Sequence, residues 1–384
     1  MYEYIITFAL AFIVAFSATP IVRRLAFKIG AVDVPKDERR MHNRPIALMG
    51  GLAIITGFLI SLIFDLVTAS NVVTPRREIT GLVAGICIMA CEGILDDRKP
   101  LKAGVKLMFQ IAAAVVVVLI SGTRISVLSN PFGPSPYITL SPVISYALTI
   151  IWIVGITNAV NLIDGLDGLA AGVSSISSLS LFFVTLLRWD LDETTAVYTA
   201  IVTIALAGST LGFLPFNFNP AKIFMGETGA AFLGFTLGVI SIQGAIKSYA
   251  AISIAIPLLV LGLPLFDTLF AIIRRIGTHK PIMQADRSHL HHRLIDMGLS
   301  QRQSVLIMYI ASATLGLCAI VLADRGALSA IILLLAVSIF VFGGAKYMNY
   351  HRDLSGNDHN VSEVSPENQP DNSITKKPSD GVIK

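Results

Sequence analysis

Charge is what this sequence has least of. Only 14% of its 384 residues are Asp, Glu, Lys or Arg, where a soluble domain carries ~25%. Too little polar surface remains to wrap a water-soluble globule, and 54% of the residues are hydrophobic. Cysteine is also scarce. Cys87, Cys91 and Cys318 all lie in apolar runs without metal-ligand company, which excludes a disulfide framework and a thiolate metal site. The apolar runs do not alternate with polar residues, which excludes a β-barrel. The first run, Tyr4 to Val22, has no basic leader and no small-residue cleavage site, so it reads as a retained helix rather than a signal peptide.

What is present is a repeated series of stretches near the ~20 apolar residues a bilayer requires. About eleven spans are expected: Tyr4–Val22, Ile46–Ala69, Ile79–Leu95, Val105–Ser121, Pro142–Leu162, Leu166–Leu187, Thr195–Phe213, Glu227–Ile246, Ala250–Ile276, Val305–Ala323 and Ala327–Tyr347. The predicted fold class is all-α, a polytopic membrane protein. With the N-terminus outside, 23 of the 29 Lys and Arg residues fall on the cytoplasmic side and 6 outside. That bias favours N-out, C-in. Residues 1–350 read as one transmembrane domain. Residues 351–384, rich in Asn, Asp, Ser, Pro and Lys, read as a disordered cytoplasmic tail.

Four polar clusters interrupt the apolar pattern, and this topology puts all four on the cytoplasmic side. The first is Gly93-Ile94-Leu95-Asp96-Asp97-Arg98. The second runs from Asn158 through Asn161, Asp164 and Asp167 to Gly168. The third runs from Asn217 through Lys222 and Phe224 to Glu227 and Gly229. The fourth is Asp286-Arg287-Ser288-His289-Leu290-His291-His292-Arg293. Taken singly, each has an ordinary explanation: an interfacial acid pair, a capped loop, an acid at a helix start, a solvated loop face. Together they do not. Carboxylates at membrane depth are costly and face a protein interior or water. Five of them converging repel one another without a cation. Oxygen ligands suit Mg²⁺, with Mn²⁺ as the alternative hard cation. Arg, Lys and His suit phosphate oxygens. Such a set at a bilayer surface points to phosphoryl transfer between a soluble nucleotide and a lipid.

The segments GILDD, NAVNLIDGLDGLAAG, FNPAKIFMG, PLFDT and SHLHHRL, in order between Ile21 and Gln303, closely resemble those of the polyprenyl-phosphate N-acetylhexosamine-1-phosphate transferases. The nearest branch is the bacterial enzymes that place GlcNAc-1-phosphate on undecaprenyl phosphate. The sister branch, phospho-MurNAc-pentapeptide translocase, shares the Asp motifs but differs at the histidine segment. The resemblance implies eleven spans, a Mg²⁺-dependent active site on the cytoplasmic face of the bacterial inner membrane, and transfer from UDP-GlcNAc to undecaprenyl phosphate with release of UMP. This would be the first membrane step of a cell-envelope polysaccharide, such as teichoic acid or the O-antigen of lipopolysaccharide. It assigns catalytic roles to Asp96, Asp97, Asp164, Asp167, His291 and His292, with Asp97 as proton acceptor or lipid-phosphate positioner. It assigns substrate contacts to Asn158, Asn161, Asn217, Phe224 (a uracil-stacking aromatic), Arg287, His289 and Arg293. The metal falls to Glu227 and Asp164.

Glu227 departs from the family, which usually has Asp there. Membrane lipid is an expected partner and nucleic acid is not; the oligomeric state is open, a homodimer among the options. The rival classes are an ion-coupled transporter, whose carboxylates would lie at the membrane midplane, and an inactive scaffold.

Overall fold

The computed structural model describes residues 2–35, 44–68, 76–130, 137–188, 191–243, 255–277 and 289–336. The chain divides into Met1–Leu334 and Leu335–Lys384. The tail expected at 351–384 and Arg287 lie outside the described residues.

The described chain is a multi-pass helical membrane protein. Its helices are α1 (Tyr2–Ile29), α2 (Gly51–Thr68), α3 (Arg76–Arg98), α4 (Ala103–Ser121), α5 (Pro142–Ile163), α6 (Leu169–Leu187), α7 (Glu193–Asn217), α8 (Gly226–Ser241), α9 (Ala255–Val260), α10 (Gly262–Gly277), α11 (Leu290–Asp296) and α12 (Gln301–Arg325). A further short apolar helix, α13, covers Ala327–Ala336. Local chemistry sets several of the ends. The Asp192 side chain accepts from Thr195 N–H at 2.9 Å to start α7, and Ser300 and Gln303 form a reciprocal capping box on α12. Pro142 stands at the first turn of α5, where its missing N–H costs nothing.

Eight of these helices are long and apolar enough to cross a membrane. One of the expected spans is broken. The run Ala250–Ile276 is broken at Leu261 into α9 and α10, because Pro264 has no N–H to give the Val260 carbonyl one turn back. The expected span Glu227–Ile246 is α-helical through Ser241, and its residues 244–246 lie outside the described residues. The all-α expectation also missed two small antiparallel pairs. One joins β1 (Val32–Asp33) to β2 (Ile46–Ala47), and the other joins β3 (Val127–Ser129) to β4 (Tyr137–Thr139).

Helix α8 is the core of the bundle. Every residue from Thr228 to Ser241 is buried, and the helix packs against α5, α3, α2 and α6. Helix α1 lies along α2 and α7, and α6 lies along α7 and α12. Several buried hydroxyls of α6 and α7 are satisfied within their own helices: Ser178, Thr185 and Thr203 each donate to the carbonyl four residues earlier. This is how polar side chains persist where water is absent.

The first turn of α8 is reached by two close approaches. A Cβ on Gly51 would lie 2.1 Å from Gly229 N, and one on Gly93 would lie 2.3 Å from Thr228 Cα. Glycine at these positions lets the start of α2 and the last turns of α3 close on α8.

Candidate active site at the first turn of α8

The ends of α3 and α5 and the starts of α4 and α8 converge at one end of the bundle. Asp96 and Asp97 are neighbours on α3, so their side chains diverge by about 100° and serve different partners. Asp97 turns to α8. Its Oδ1 accepts from Glu227 N–H at 2.8 Å. Its Oδ2 accepts from the Thr228 hydroxyl at 2.6 Å and from Thr228 N–H at 3.3 Å. It therefore caps α8 from another helix, where the dipole favours an anion. Gly226 makes this fit possible. Its φ is +69°, and a Cβ there would lie 2.5 Å from Asp97 Oδ2.

Asp96 turns to α4. Its Oδ1 accepts from Leu101 N–H at 2.7 Å, and its Oδ2 lies 3.0 Å from Lys106 Nζ. The same ammonium lies 3.0 Å from Glu227 Oε2, and Asn161 Nδ2 donates to Glu227 Oε1. Lys106 thus ties the first acid cluster to the third, and Asn161 ties in the second.

Asp164 ends α5. Among the described residues its carboxylate has no hydrogen-bond partner. Burial, and then the charges of Glu227, Asp97 and Asp167, push its carboxyl up to about 8. At pH 7 it holds its proton unless a cation enters the site. Among the described residues no three His, Cys, Asp or Glu side chains form a ready-made metal cage. Mg²⁺ does not need one, since it is commonly held by one or two carboxylates together with waters and substrate phosphates. The unpartnered Asp164 and the partly accessible Glu227 are donors of that kind.

Several expected site residues also make structural hydrogen bonds. Asp167 Oδ2 accepts from Asn219 Nδ2 and from Ala221 N–H, both at 3.0 Å. Asn219 also donates to Gln301 Oε1, so Asp167 clasps the loop after α7 to the starts of α6 and α12. Asn217 is buried; it accepts from Gly168 N–H at 3.1 Å and donates to the Ile223 carbonyl at 3.0 Å. That pairing braces two loops and uses one N–H and one oxygen lone pair of its amide. Asn158 donates through Nδ2 to Gln110 Oε1 at 2.6 Å and to the Val154 carbonyl at 2.8 Å. The Phe224 backbone is pinned between the Ala47 carbonyl and Gly50 N–H, leaving its ring half-buried at the rim.

The histidine segment packs on the α5–α6 loop. His291 rests against Gly165, where a Cβ would lie 2.4 Å from Nε2. It is 2% exposed with neither ring nitrogen paired, and burial holds its pKa down to about 4. It is neutral at pH 7. The His289 and His291 rings are parallel within 4° at 5.9 Å, and His292 lies 4.2 Å beyond His291. Arg293 is exposed.

The sequence pattern did not single out Lys106 or Glu92. Lys106 is the only charge in α4, and a lone cation at the start of an apolar helix facing an acid cluster was the available signal. Glu92, one turn before Asp96, is fully buried with both oxygens unpaired.

Residues 79–245 match the model of glycosyl transferase family 4, a stretch that holds the first three clusters. The chain is 41% identical over 322 residues to a probable undecaprenyl-phosphate N-acetylglucosaminyl 1-phosphate transferase of Bacillus subtilis, covering 84% of this chain and 86% of that protein. It belongs to this family of polyprenyl-phosphate sugar-1-phosphate transferases. A decaprenyl-phosphate N-acetylglucosaminephosphotransferase of Mycolicibacterium smegmatis is 37% identical over 320 residues, with 78% and 77% covered. The undecaprenyl-phosphate alpha-N-acetylglucosaminyl 1-phosphate transferase of Salmonella typhi is 29% identical over 299 residues, with 77% of each covered. The histidine segment lies beyond the stretch matched by the family model, yet the fold returns it to Gly165 inside that stretch.

Proposed function

We propose that the protein transfers GlcNAc-1-phosphate from UDP-GlcNAc to undecaprenyl phosphate at the cytoplasmic face of a bacterial inner membrane. The observation that carries this reading is Lys106, held between Asp96 and Glu227, with Glu227 in turn acting on Asp164, whose carboxylate has no hydrogen-bond partner among the described residues. A diphosphate needs a cation of this kind, and a divalent metal needs these carboxylates. An oxygen of the lipid phosphate forms a bond to the β-phosphorus of the donor. The bond from that phosphorus to the bridging oxygen breaks, and UMP leaves with the electron pair. The nucleophile is already an anion at neutral pH, since a phosphomonoester's second pKa is ≈ 6. Positioning and charge neutralisation therefore supply most of the rate. Mg²⁺ held by Asp164 and Glu227 would supply neutralisation of the diphosphate charge. Lys106 offers a donor to the same oxygens, Arg293 adds positive charge at the rim, and Asp97 keeps Glu227 in place.

The substrate class is tested with the purified full-length protein and a donor panel of UDP-GlcNAc, UDP-GalNAc and UDP-MurNAc-pentapeptide. Lipid-dependent UMP release is expected with UDP-GlcNAc. Release with the pentapeptide donor alone would assign the protein to the sister branch.

The metal reading predicts that Glu227→Gln weakens Mn²⁺ binding, followed by electron paramagnetic resonance, and lowers turnover by about 10²-fold or more. Glu227→Asp is expected to retain or raise turnover, since it restores the usual ligand of the family. Normal binding and turnover in Glu227→Gln would remove this residue from the metal site.

The charge bias of 23 to 6 supports eleven spans with the N-terminus outside. In a cysteine-free background, Ser129→Cys should react with an impermeant maleimide on intact cells, and Ser300→Cys only after permeabilisation. The reverse pattern would invert the topology.

A further inference from the structure

Asp267, on α10, sits beneath the histidine segment and, among the described residues, makes no hydrogen bond to the other acid clusters. Its Oδ2 is 2.9 Å from His289 Nδ1, and its Oδ1 accepts from Leu290 N–H at 2.8 Å. Both partners stand at the start of α11, so one carboxylate fixes the segment's position and the orientation of one ring. A carboxylate accepts and does not donate. The proton of neutral His289 must therefore be on Nδ1, and Nε2 must carry the lone pair. Among the described residues Nε2 has no hydrogen-bond partner. His291, stacked against it, is neutral, so it does not compete for a positive charge in the pair. Asp97, the other candidate base, has both oxygens committed to α8.

We propose that Asp267 is a positioning residue that sets the tautomer of His289, so that His289 Nε2 accepts the residual proton of the lipid phosphate monoanion. This rests on the transferase reading above. The proton moves from a phosphate oxygen to Nε2. It leaves a dianionic nucleophile beside an imidazolium whose charge is balanced by Asp267. The other titratable and charged groups around the pair are His291, His292 and Arg293 on α11 and Arg274 and Arg275 further along α10. Asp164 and Asp167 stand across Gly165, and Tyr309 is on α12. Helices α5, short of its Asp164 end, and α9 present none.

Asp267→Asn is close to isosteric and can still accept from Leu290 N–H. Its amide would donate to His289 Nδ1 and so move the ring proton to Nε2. Nitrogen NMR of the protein with its seven histidines labelled, with His289→Gln to assign the signal, reads the tautomer without turnover. The expected result is an Nδ1–H ring in the wild type and an Nε2–H ring in Asp267→Asn.

In UMP release, Asp267→Asn and His289→Gln should both lose about twofold more at pH 6 than at pH 8.5, since half the lipid phosphate is monoanion at pH 6 and the dianionic half needs no proton acceptor. The loss should shrink to about fivefold or less at pH 8.5, with KM for UDP-GlcNAc within about threefold throughout. Asp267→Glu should restore much of the pH 6 rate. An Nε2–H ring in the wild type, or a loss equal at both pH values, would overturn the proposal. A wild type that releases no UMP would overturn the transferase reading and the proton-acceptor role together, while the tautomer result would still report on Asp267's positioning.

Discussion

Lys106→Met should lower UMP release by about 10²–10³-fold, the range seen when one preorganised donor to a developing oxyanion is removed. The ammonium lies 3.0 Å from both Asp96 Oδ2 and Glu227 Oε2. Methionine keeps much of the chain's volume but leaves the two carboxylates facing without a counter-charge. They would part, hold a proton, or draw the metal out of place. Each outcome also removes the one side-chain cation that the described structure holds between the acid clusters. Lys106→Arg should do better than Met but remain below wild type, because a planar fork cannot present a point charge to two carboxylates in the same way. Initial rates against donor concentration, with thermal unfolding in detergent as a folding check, decide it. A folded Met variant within fivefold of wild type would remove Lys106 from the account.

Asp97→Ala should be nearly as damaging, for a different reason. Its carboxylate satisfies two backbone N–H groups and a hydroxyl at the start of α8. Deleting it leaves buried donors unpaired, at about 1–3 kcal/mol of stability, and frees Glu227 from its register. Asp97→Asn keeps one acceptor and should fall between Ala and wild type. If Asp97 positions α8, both variants lose rate by a factor that does not change between pH 6 and 8.5. A loss that recovers at high pH would make Asp97 a base after all, and would remove the reason for seeking one at His289.

The residues that gave the site away in the sequence were those that do not belong in lipid. Asp96, Asp97, Asn161, Asp164 and Glu227 are conspicuous because their neighbours are apolar, and the fold brings them to one end of the bundle. The division of labour between Asp96 and Asp97 was not legible, because it depends on how far α3 has turned when it meets α8. Lys106 was missed because a basic residue at a helix start looks like any loop charge until its partners, 10 residues before and 121 residues after it, are in place. Asp167 and Asn217 look like binding residues in the linear motif. In three dimensions each also holds together the loops that carry the motif, a structural role the linear pattern does not reveal. The break at Leu261 was written in Pro264, but a continuous apolar run outweighed it.

The central claim is that one centre around Lys106, Asp164 and Glu227 moves a whole sugar-phosphate onto a lipid phosphate. UDP-GlcNAc labelled with ³²P at the β-phosphate separates this from every other use of the same donor. With purified protein, Mg²⁺ and undecaprenyl phosphate, the label should pass into the organic-extractable lipid in step with unlabelled UMP, and Glu227→Gln should abolish both. Label that stays in the aqueous phase as UDP while the sugar enters the lipid, or transfer that proceeds unchanged in Glu227→Gln, would contradict it.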